Sequence, residues 1–253
     1  MTDINRPSPT IEDYLGVIYT LNRDGERVIG ARLVDSLDVS ASTVTGNLKR
    51  MQRDGWIEID EEREITLTDE GLRMAMSVIR RHMLTEWMLS RVLKLPLSDL
   101  HREAHQIEHT LSAEVEERLI SEMDDPSLCP HGNPLPGHED VVSLWTPLSE
   151  VAPGRSVVIR RIHENLEDQY ESLAFLDSHG LMPGAKCEVC EVLSFNETIL
   201  VVIDQQEVVL GLKLASNIFV SDPLPDETAG KTAQLVAGVA NVGDGRDAGD
   251  GDE

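Results

Sequence analysis

A chain of 253 residues has room for a large core or for two to three small domains, and its formal charge of −24 argues against nucleic-acid binding by the molecule as a whole. Cys129, Cys187 and Cys190 are too few for a secreted disulfide framework and fit a reducing cytosol. The N-terminus lacks the basic and apolar regions of a signal peptide, and no stretch approaches the roughly 18 apolar residues of a membrane span, so a cytoplasmic chain without a membrane partner is expected. The acidic excess runs along the whole chain, the pattern of a halophilic protein adapted to molar salt, where the Debye length shrinks to about 3 Å.

From Pro9 to about Arg23, Ile11, Tyr14, Leu15, Ile18 and Tyr19 recur at helical spacing, with Pro9 near the helix start. "GERVIGARLVDSL" predicts a short helix, and "SASTVTGNLKRMQRDG" another, with Ser40 as its N-cap and Gly55 as its stop. "WIEIDEEREITLT" alternates as a hairpin. Three helices and a hairpin within residues 1–70 give the order of a winged helix-turn-helix.

Residues 68 to about 94 predict a long helix, and Ser98 to about Met123 one or two more. Leu72, Met76, Ile79, Met83 and Trp87, then Ile107, Leu111, Val115 and Leu119, form stripes that read as core, and the unit (71–125) offers a dimer interface. "DDPSLCPHGNPLPGHEDVVSLWTP" reads as a Pro/Gly-rich linker, 126–146. Beyond it, "LSEVAPGRSVVIRRI", "AKCEVCEVL", "TILVVID" and "EVVLGLK" predict short strands with one helix around Glu167–His179, a small β-barrel over 147–222. Cys187 and Cys190, three apart on a strand, face opposite ways and do not read as a metal pair. Residues 223–253, ending in repeated Gly and Asp, are expected to be a disordered acidic tail. The fold class is therefore mainly α with a small β domain.

The chemistry concentrates in "LHREAHQIEH". On a helix His105, Glu108 and His109 stand at i, i+3 and i+4, with His101 one turn earlier; His82 and Glu86 form a second i, i+4 pair. Imidazole and carboxylate without thiolate suit Mn²⁺, Fe²⁺, Co²⁺, Ni²⁺ or Zn²⁺. "HQIEH" also matches the H-x-x-E-H of inverted zinc proteases, so a metal-dependent hydrolase with Glu108 as base is the alternative, though a substrate-binding body is lacking. Between Arg27 and Arg53 lie five cations (Arg27, Arg32, Lys49, Arg50, Arg53) against two acids, Asp35 and Asp38, a local surface able to meet phosphates. Ser40, Ser42, Thr43, Thr45 and Asn47 offer short polar groups to phosphates or base edges at the start of the third helix of that unit.

The order winged helix, helical pair, linker and barrel resembles the diphtheria-toxin-repressor family of metal-dependent transcription regulators over about residues 8–222. The resemblance is carried by "TIEDYLGVIYTL", "SASTVTGNLKRMQRDG", "RRHMLTEWML", "LHREAHQIEHTLS" and "CPHGNPLPG". It implies a primary metal site of Asp13, His105, Glu108 and His109 and an ancillary site of His82, Glu86 and His101, with Glu164 and Glu167 as candidate ligands from an FeoA-like barrel. Iron-type members carry a methionine and a cysteine where Asp13 and His105 stand; Asp13 matches the manganese type, whose members carry glutamate at the place of His105. Losing soft sulfur favours Mn²⁺, with Fe²⁺ still open. The resemblance further implies a homodimer on palindromic double-stranded operator DNA, repression of manganese or iron homeostasis genes, no small-molecule substrate and no enzymatic activity.

Overall fold

A computed structural model describes residues 7–123, 126–167 and 169–224; the expected acidic tail lies, from residue 225 on, outside the described residues. The first unit contains α1 (Pro9–Arg23), α2 (Gly30–Leu37), α3 (Ala41–Arg53) and the antiparallel wing strands β1 (Ile57–Ile59) and β2 (Ile65–Leu67). The helical stripe of α1 does what its period requires: Ile11, Tyr14, Leu15 and Ile18 are buried against Leu33, Val44, Met51, Trp56 and Ile65. Ser40 starts α3 by accepting a 3.2 Å hydrogen bond from the Thr43 amide, and Gly55 follows its end at φ +81°.

α4 (Asp69–Leu93) leaves the wing directly, N-capped by Thr68, whose hydroxyl accepts from Gly71 N at 3.0 Å and donates to Gly55 O at 2.7 Å. Its first half lies on α1, where Ala75 and Ile79 meet the α1 stripe and Gly16 lets Ile79 approach. Its second half carries α5 (Leu97–Ile107), a 3₁₀ turn (Glu108–Thr110) and α6 (Ala113–Glu122). Leu89, Leu100 and Ala104 join α4 to α5, and Leu119 and Ile120 of α6 rest beside Met83. Two residues expected in the core are instead exposed, Leu72 and Val115, as are Val92 and Leu93 at the end of α4. An isolated chain leaves such apolar surface for a second copy to cover.

The last unit holds β3 (Thr146–Pro147), β4 (Ser156–Ile162), α7 (Tyr170–Ser178), β5 (Lys186–Leu193), β6 (Thr198–Ile203), β7 (Gln206–Gly211), a short α8 (Leu212–Ala215) and β8 (Ile218–Ser221). All pairings are antiparallel, in the order β3-β8-β4-β5-β6-β7. Cys187 is buried in its core and Cys190 is exposed, so the two thiols do point to opposite faces.

Within the Pro/Gly-rich linker, residues 129–136 are buried. His131 and Asn133 are 0% exposed, wedged between α4 and β4. Ile162 N donates to His131 O at 2.8 Å, Asn133 Nδ2 to Ile162 O at 2.9 Å, and Trp87 Nε1 to Leu128 O at 2.7 Å. Gly132 makes this possible. At φ +85° a Cβ there would stand 2.0 Å from Arg160 O. Gly132→Ala should therefore lower unfolding stability by on the order of 3 kcal/mol in urea denaturation; a change within experimental error would mean that the close approach to β4 is dispensable.

Candidate metal centre and nucleic-acid interface

Asp13 from α1, His105 from α5, and Glu108 and His109 from the 3₁₀ turn each bring a ligand atom to within 4.8 Å of the others. His109 Nε2 lies 3.3 Å from Asp13 Oδ1 and 3.5 Å from Glu108 Oε1, while His105 Nδ1 lies 3.3 Å from the same Glu108 oxygen. The orientation of His109 is set by a residue the sequence reading passed over. Its Nδ1 donates to Glu12 Oε2 at 2.7 Å, which turns Nε2 toward Asp13. Arg81 braces the arrangement, donating to Glu12 Oε1 at 2.8 Å and to the Glu108 carbonyl at 3.1 Å. Glu12 was findable: it neighbours Asp13 and sits beside Ile11 on the edge of the buried stripe, where a carboxylate needs a partner.

Charge in this cluster is out of balance. Burial raises the Asp13 pKa, and Glu108 and Glu12 add to it against the opposing His105 and His109. Asp13 Oδ1 is buried without a hydrogen-bond donor among the described residues. Glu108 is held down to about 2, its burial outweighed by hydrogen bonds from His105 and His82. The hydrogen bond to Glu108 in turn raises the His105 pKa against desolvation. In metal-free protein, protons on imidazoles supply the positive charge that a divalent ion would bring.

A second cluster joins His82 and Glu86 of α4, His101 of α5 and Glu167 from the turn before α7, again with ligand atoms within 4.8 Å. His82 Nε2 is 3.3 Å from Glu86 Oε1, and His101 Nδ1 is 2.9 Å from Glu167 Oε2. Glu86 also belongs to a third, overlapping set with Cys129 and His131. His131 donates from Nε2 to Leu97 O at 2.9 Å, which turns Nδ1 toward Glu86 Oε1 at 3.3 Å and Glu167 Oε1 at 3.4 Å. Both Glu86 oxygens, His82 Nε2 and His131 Nδ1 are buried without a well-formed hydrogen bond among the described residues. Buried carboxylate oxygens and imidazole nitrogens of this kind are the ligand chemistry a divalent cation requires. Burial alone would discharge His82 and His131, yet their carboxylate neighbours raise both pKa values well above the ordinary imidazole value. Burial pushes the Cys129 thiol up to about 12, so only a bound ion would draw out its thiolate. His82 links the clusters, contacting Glu108 through Nδ1 and Glu86 through Nε2.

Glu164 requires a correction as a candidate ligand. It stands apart from the second cluster, its oxygens taken by Arg23 at 2.7 Å and Arg161 at 2.8 Å. Cys129 and His131 were missed because the sequence assigned "CPHGNPLPG" to a linker; the C-x-H spacing within it was the one signal available.

On the winged helix, Ser40, Ser42, Thr43, Thr45, Lys49, Arg50 and Arg53 are exposed along α3 and Asn47 is half-buried. Ser40 and Thr45 are partly spent on the helix itself: Ser40 caps it, and Thr45 donates to Ala41 O at 2.8 Å. The arginines carry counter-acids the sequence count set aside. Arg27 pairs with Glu62 and Glu64, Arg32 with Glu26, and Arg50 and Arg53 with Asp54. Exposed pairs of this kind are weak and exchangeable for phosphate. Arg63, at the tip of the wing with φ +63°, adds an exposed cation that the sequence reading omitted.

Three family models cover the described architecture: the iron dependent repressor N-terminal DNA binding domain over residues 8–65, the iron dependent repressor metal binding and dimerisation domain over 68–137, and the FeoA domain over 146–222. The iron-dependent repressor IdeR of Mycobacterium leprae (strain TN) is 33% identical over 217 residues, 81% of this chain and 94% of its own. The chain belongs to the iron-dependent repressor family. The diphtheria toxin repressor of Corynebacterium diphtheriae (strain ATCC 700971) is 37% identical over 132 residues, 52% of this chain and 58% of that protein. A solved manganese-dependent transcriptional repressor in complex with manganese superposes with TM-score 0.74 at 28% identity, over 84% of this chain and 99% of the other, and the manganese regulator SloR with TM-score 0.69 at 26%, over 85% and 100%.

Membership makes the chain a metal-dependent, DNA-binding transcriptional repressor that dimerises through its helical unit, and not an enzyme. The hydrolase alternative on His105, Glu108 and His109 is thereby overturned, and the geometry shows why: Glu108 is buried under His82 and His105 and sits on a 3₁₀ turn rather than on an open helix face. Among the described residues no helix is long and apolar enough to cross a membrane.

Hydrogen bonds and charge from neighbouring carboxylates raise the pKa values of His82, His105 and His131, so a metal must displace their protons over a higher pH range than from an ordinary imidazole. Apparent Mn²⁺ affinity should climb with pH through and above neutrality, by roughly tenfold per unit for each proton released. Calorimetry in buffers of different ionisation enthalpy measures the protons directly; a pH-independent affinity with no proton release would contradict this charge assignment.

Proposed function

We propose that this repressor is a cytoplasmic Mn²⁺ sensor, with Fe²⁺ as its second ion, whose metal ties the DNA-binding unit to the dimerisation unit. One observation carries the reading: Asp13, on α1 of the winged helix, meets His105, Glu108 and His109 of the dimerisation unit within 4.8 Å. The set holds oxygen and nitrogen donors and no sulfur, which favours a hard divalent ion. Iron-dependent and manganese-dependent relatives support the same pair of ions.

When bound, the metal supplies the positive charge that lets the Asp13 and Glu108 carboxylates share one pocket. The chain's own residues do the rest. Glu12 orients His109, Arg81 holds Glu12 and the Glu108 backbone, and α1 is thereby fixed against α4 and the 3₁₀ turn. The ancillary region offers His82, Glu86, His101 and Glu167, or Glu86 with Cys129 and His131; the second set, which includes a thiol, suits a softer ion such as Zn²⁺.

In the homodimer, two α3 helices address the half-sites of a palindromic operator, with Ser42, Thr43, Thr45 and Asn47 toward base edges and phosphates. Arg27, Arg32, Lys49, Arg50 and Arg53 exchange their surface acids for phosphates. Repression of manganese or iron homeostasis genes follows from such a sensor.

Asp13→Ala should leave the circular dichroism spectrum unchanged and raise the Mn²⁺ concentration needed for half-maximal operator binding by about tenfold or more, the scale of an ordinary coupling free energy. Unchanged metal dependence would remove Asp13 from the mechanism. His105→Cys should shift the preference of operator binding from Mn²⁺ toward Fe²⁺ and softer ions; an unaltered ranking of metals would show that selectivity lies elsewhere.

A further inference from the structure

α1 carries Asp13 near its N-terminal end, but its C-terminal end is gripped from a different direction. Arg23, the last residue of α1, and Asp24 just beyond it enter a buried network with Arg161 and His163 of the sheet domain and with Glu164. Arg23 donates to Glu164 at 2.7 and 2.9 Å and to Asp24 at 2.9 and 3.1 Å. Arg161 donates to Glu164 at 2.8 Å and to Asp24 at 3.1 Å, and His163 Nε2 lies 2.9 Å from Asp24. Asp24, His163 and Glu164 sit close enough to suggest a cation site, but the two guanidiniums already fill it.

The same Arg161 reaches in the opposite direction. Its Nε donates to Asn133 Oδ1, and Asn133 Nδ2 donates to Glu167 Oε1 at 2.8 Å and to Ile162 O at 2.9 Å. Glu167 is a member of the cluster with His82, Glu86 and His101. The chain of contacts thus runs Glu167, Asn133, Arg161, Asp24 and α1, and its middle is shut off from water: Asn133 is 0% and Arg161 1% exposed. Its polarity is fixed. A guanidinium has no acceptor and a carboxylate no donor, so the Asn133 amide fits in one orientation only. Arg161 is further confined by the Phe219 ring, whose centroid lies 5.1 Å from the guanidinium carbon.

We propose that Asn133 and Arg161 form a relay through which the His82–Glu86–His101–Glu167 cluster and the C-terminal end of α1 bias each other, making the FeoA domain a second clamp on the DNA-binding unit. The proposal rests on the reading of that cluster as a metal site. A metal that fixes Glu167 fixes the Asn133 amide against it, and with it the guanidinium that holds Asp24. The grip on α1 then comes from both ends, Asp13 through the dimerisation unit and Asp24 through the sheet domain. Reciprocity requires that loosening the α1 end weaken metal binding at the cluster. Neither Asn133 nor Arg161 is a ligand; both act by positioning.

The test is calorimetric titration of the full-length protein with Mn²⁺, comparing wild type with His101→Ala, Asn133→Ala and Asp24→Asn. His101→Ala identifies which binding event belongs to the cluster. Asp24→Asn touches none of the cluster residues, so it remains informative if Asn133→Ala folds poorly. Both relay variants should weaken the cluster event by about fivefold or more, within the usual range of inter-site coupling, and leave the Asp13-site event in place. An unchanged cluster event in Asp24→Asn overturns the relay. Equal weakening of both events, the mark of general loosening, overturns it as well. A wild type with no event removed by His101→Ala overturns the metal reading of the cluster itself, and the relay with it.

Discussion

Buried carboxylates that lack enough positive charge govern this structure. Glu12, Asp13, Glu86, Glu108 and Glu167 converge where α1, α4, α5 and the sheet domain meet, and Glu12, Glu86, Glu108 and Glu167 are buried there. Removing such groups from water is expensive unless each is paired. Arg81 answers Glu12, while Glu86, Glu108 and Glu167 lean on the imidazoles of His82, His101, His105 and His131. An arrangement that holds together on protons at neutral pH is one a divalent cation can enter with gain, and that makes the carboxylates an information-bearing element rather than a structural expense.

The rest of the fold holds these groups at the meeting point of three units. α4 spans the first two, packing on α1 with one half and carrying His82 and Glu86 in the other. The buried segment around Gly132 links the third, placing Cys129 and His131 against Glu86 while holding β4 by its backbone. Each donor set therefore takes side chains from different elements, so an ion cannot bind without fixing their relative positions. That is the physical content of a metal-dependent repressor: the affinity for metal and the geometry of the DNA-reading helices are one equilibrium. The overall acidity fits the same picture, since the arginines near α3 are each answered by a surface acid that phosphate can displace.

Much of this was legible in the residues. The α1 stripe, the Ser40 cap, the alternation of the wing and the i, i+3, i+4 placement of His105, Glu108 and His109 are local periodicities, and local periodicity is what a single sequence displays. The family resemblance then supplied Asp13, distant in sequence from its partners. Other features depended on tertiary contact and were harder to read. "CPHGNPLPG" has the composition of an exposed linker, and only its burial against β4 and α4 shows it as part of the site. Glu164 and Glu167 look equivalent in "HENLEDQ", yet Arg23 and Arg161 claim the first and leave the second to the histidines. Val115 and Leu72 belong to helical stripes but are exposed in one chain, because a period does not say whether the covering surface comes from the same molecule.

The central claim is that metal fixes α1 to the dimerisation unit. Hydrogen–deuterium exchange of the full-length protein with and without Mn²⁺ tests it most directly. Amides of residues 10–23 in α1 and of the Glu108–Thr110 turn should slow their exchange together as the metal is added, while the β6–β7 hairpin does not change. Binding of Mn²⁺ with the α1 amides exchanging at their metal-free rate would contradict it.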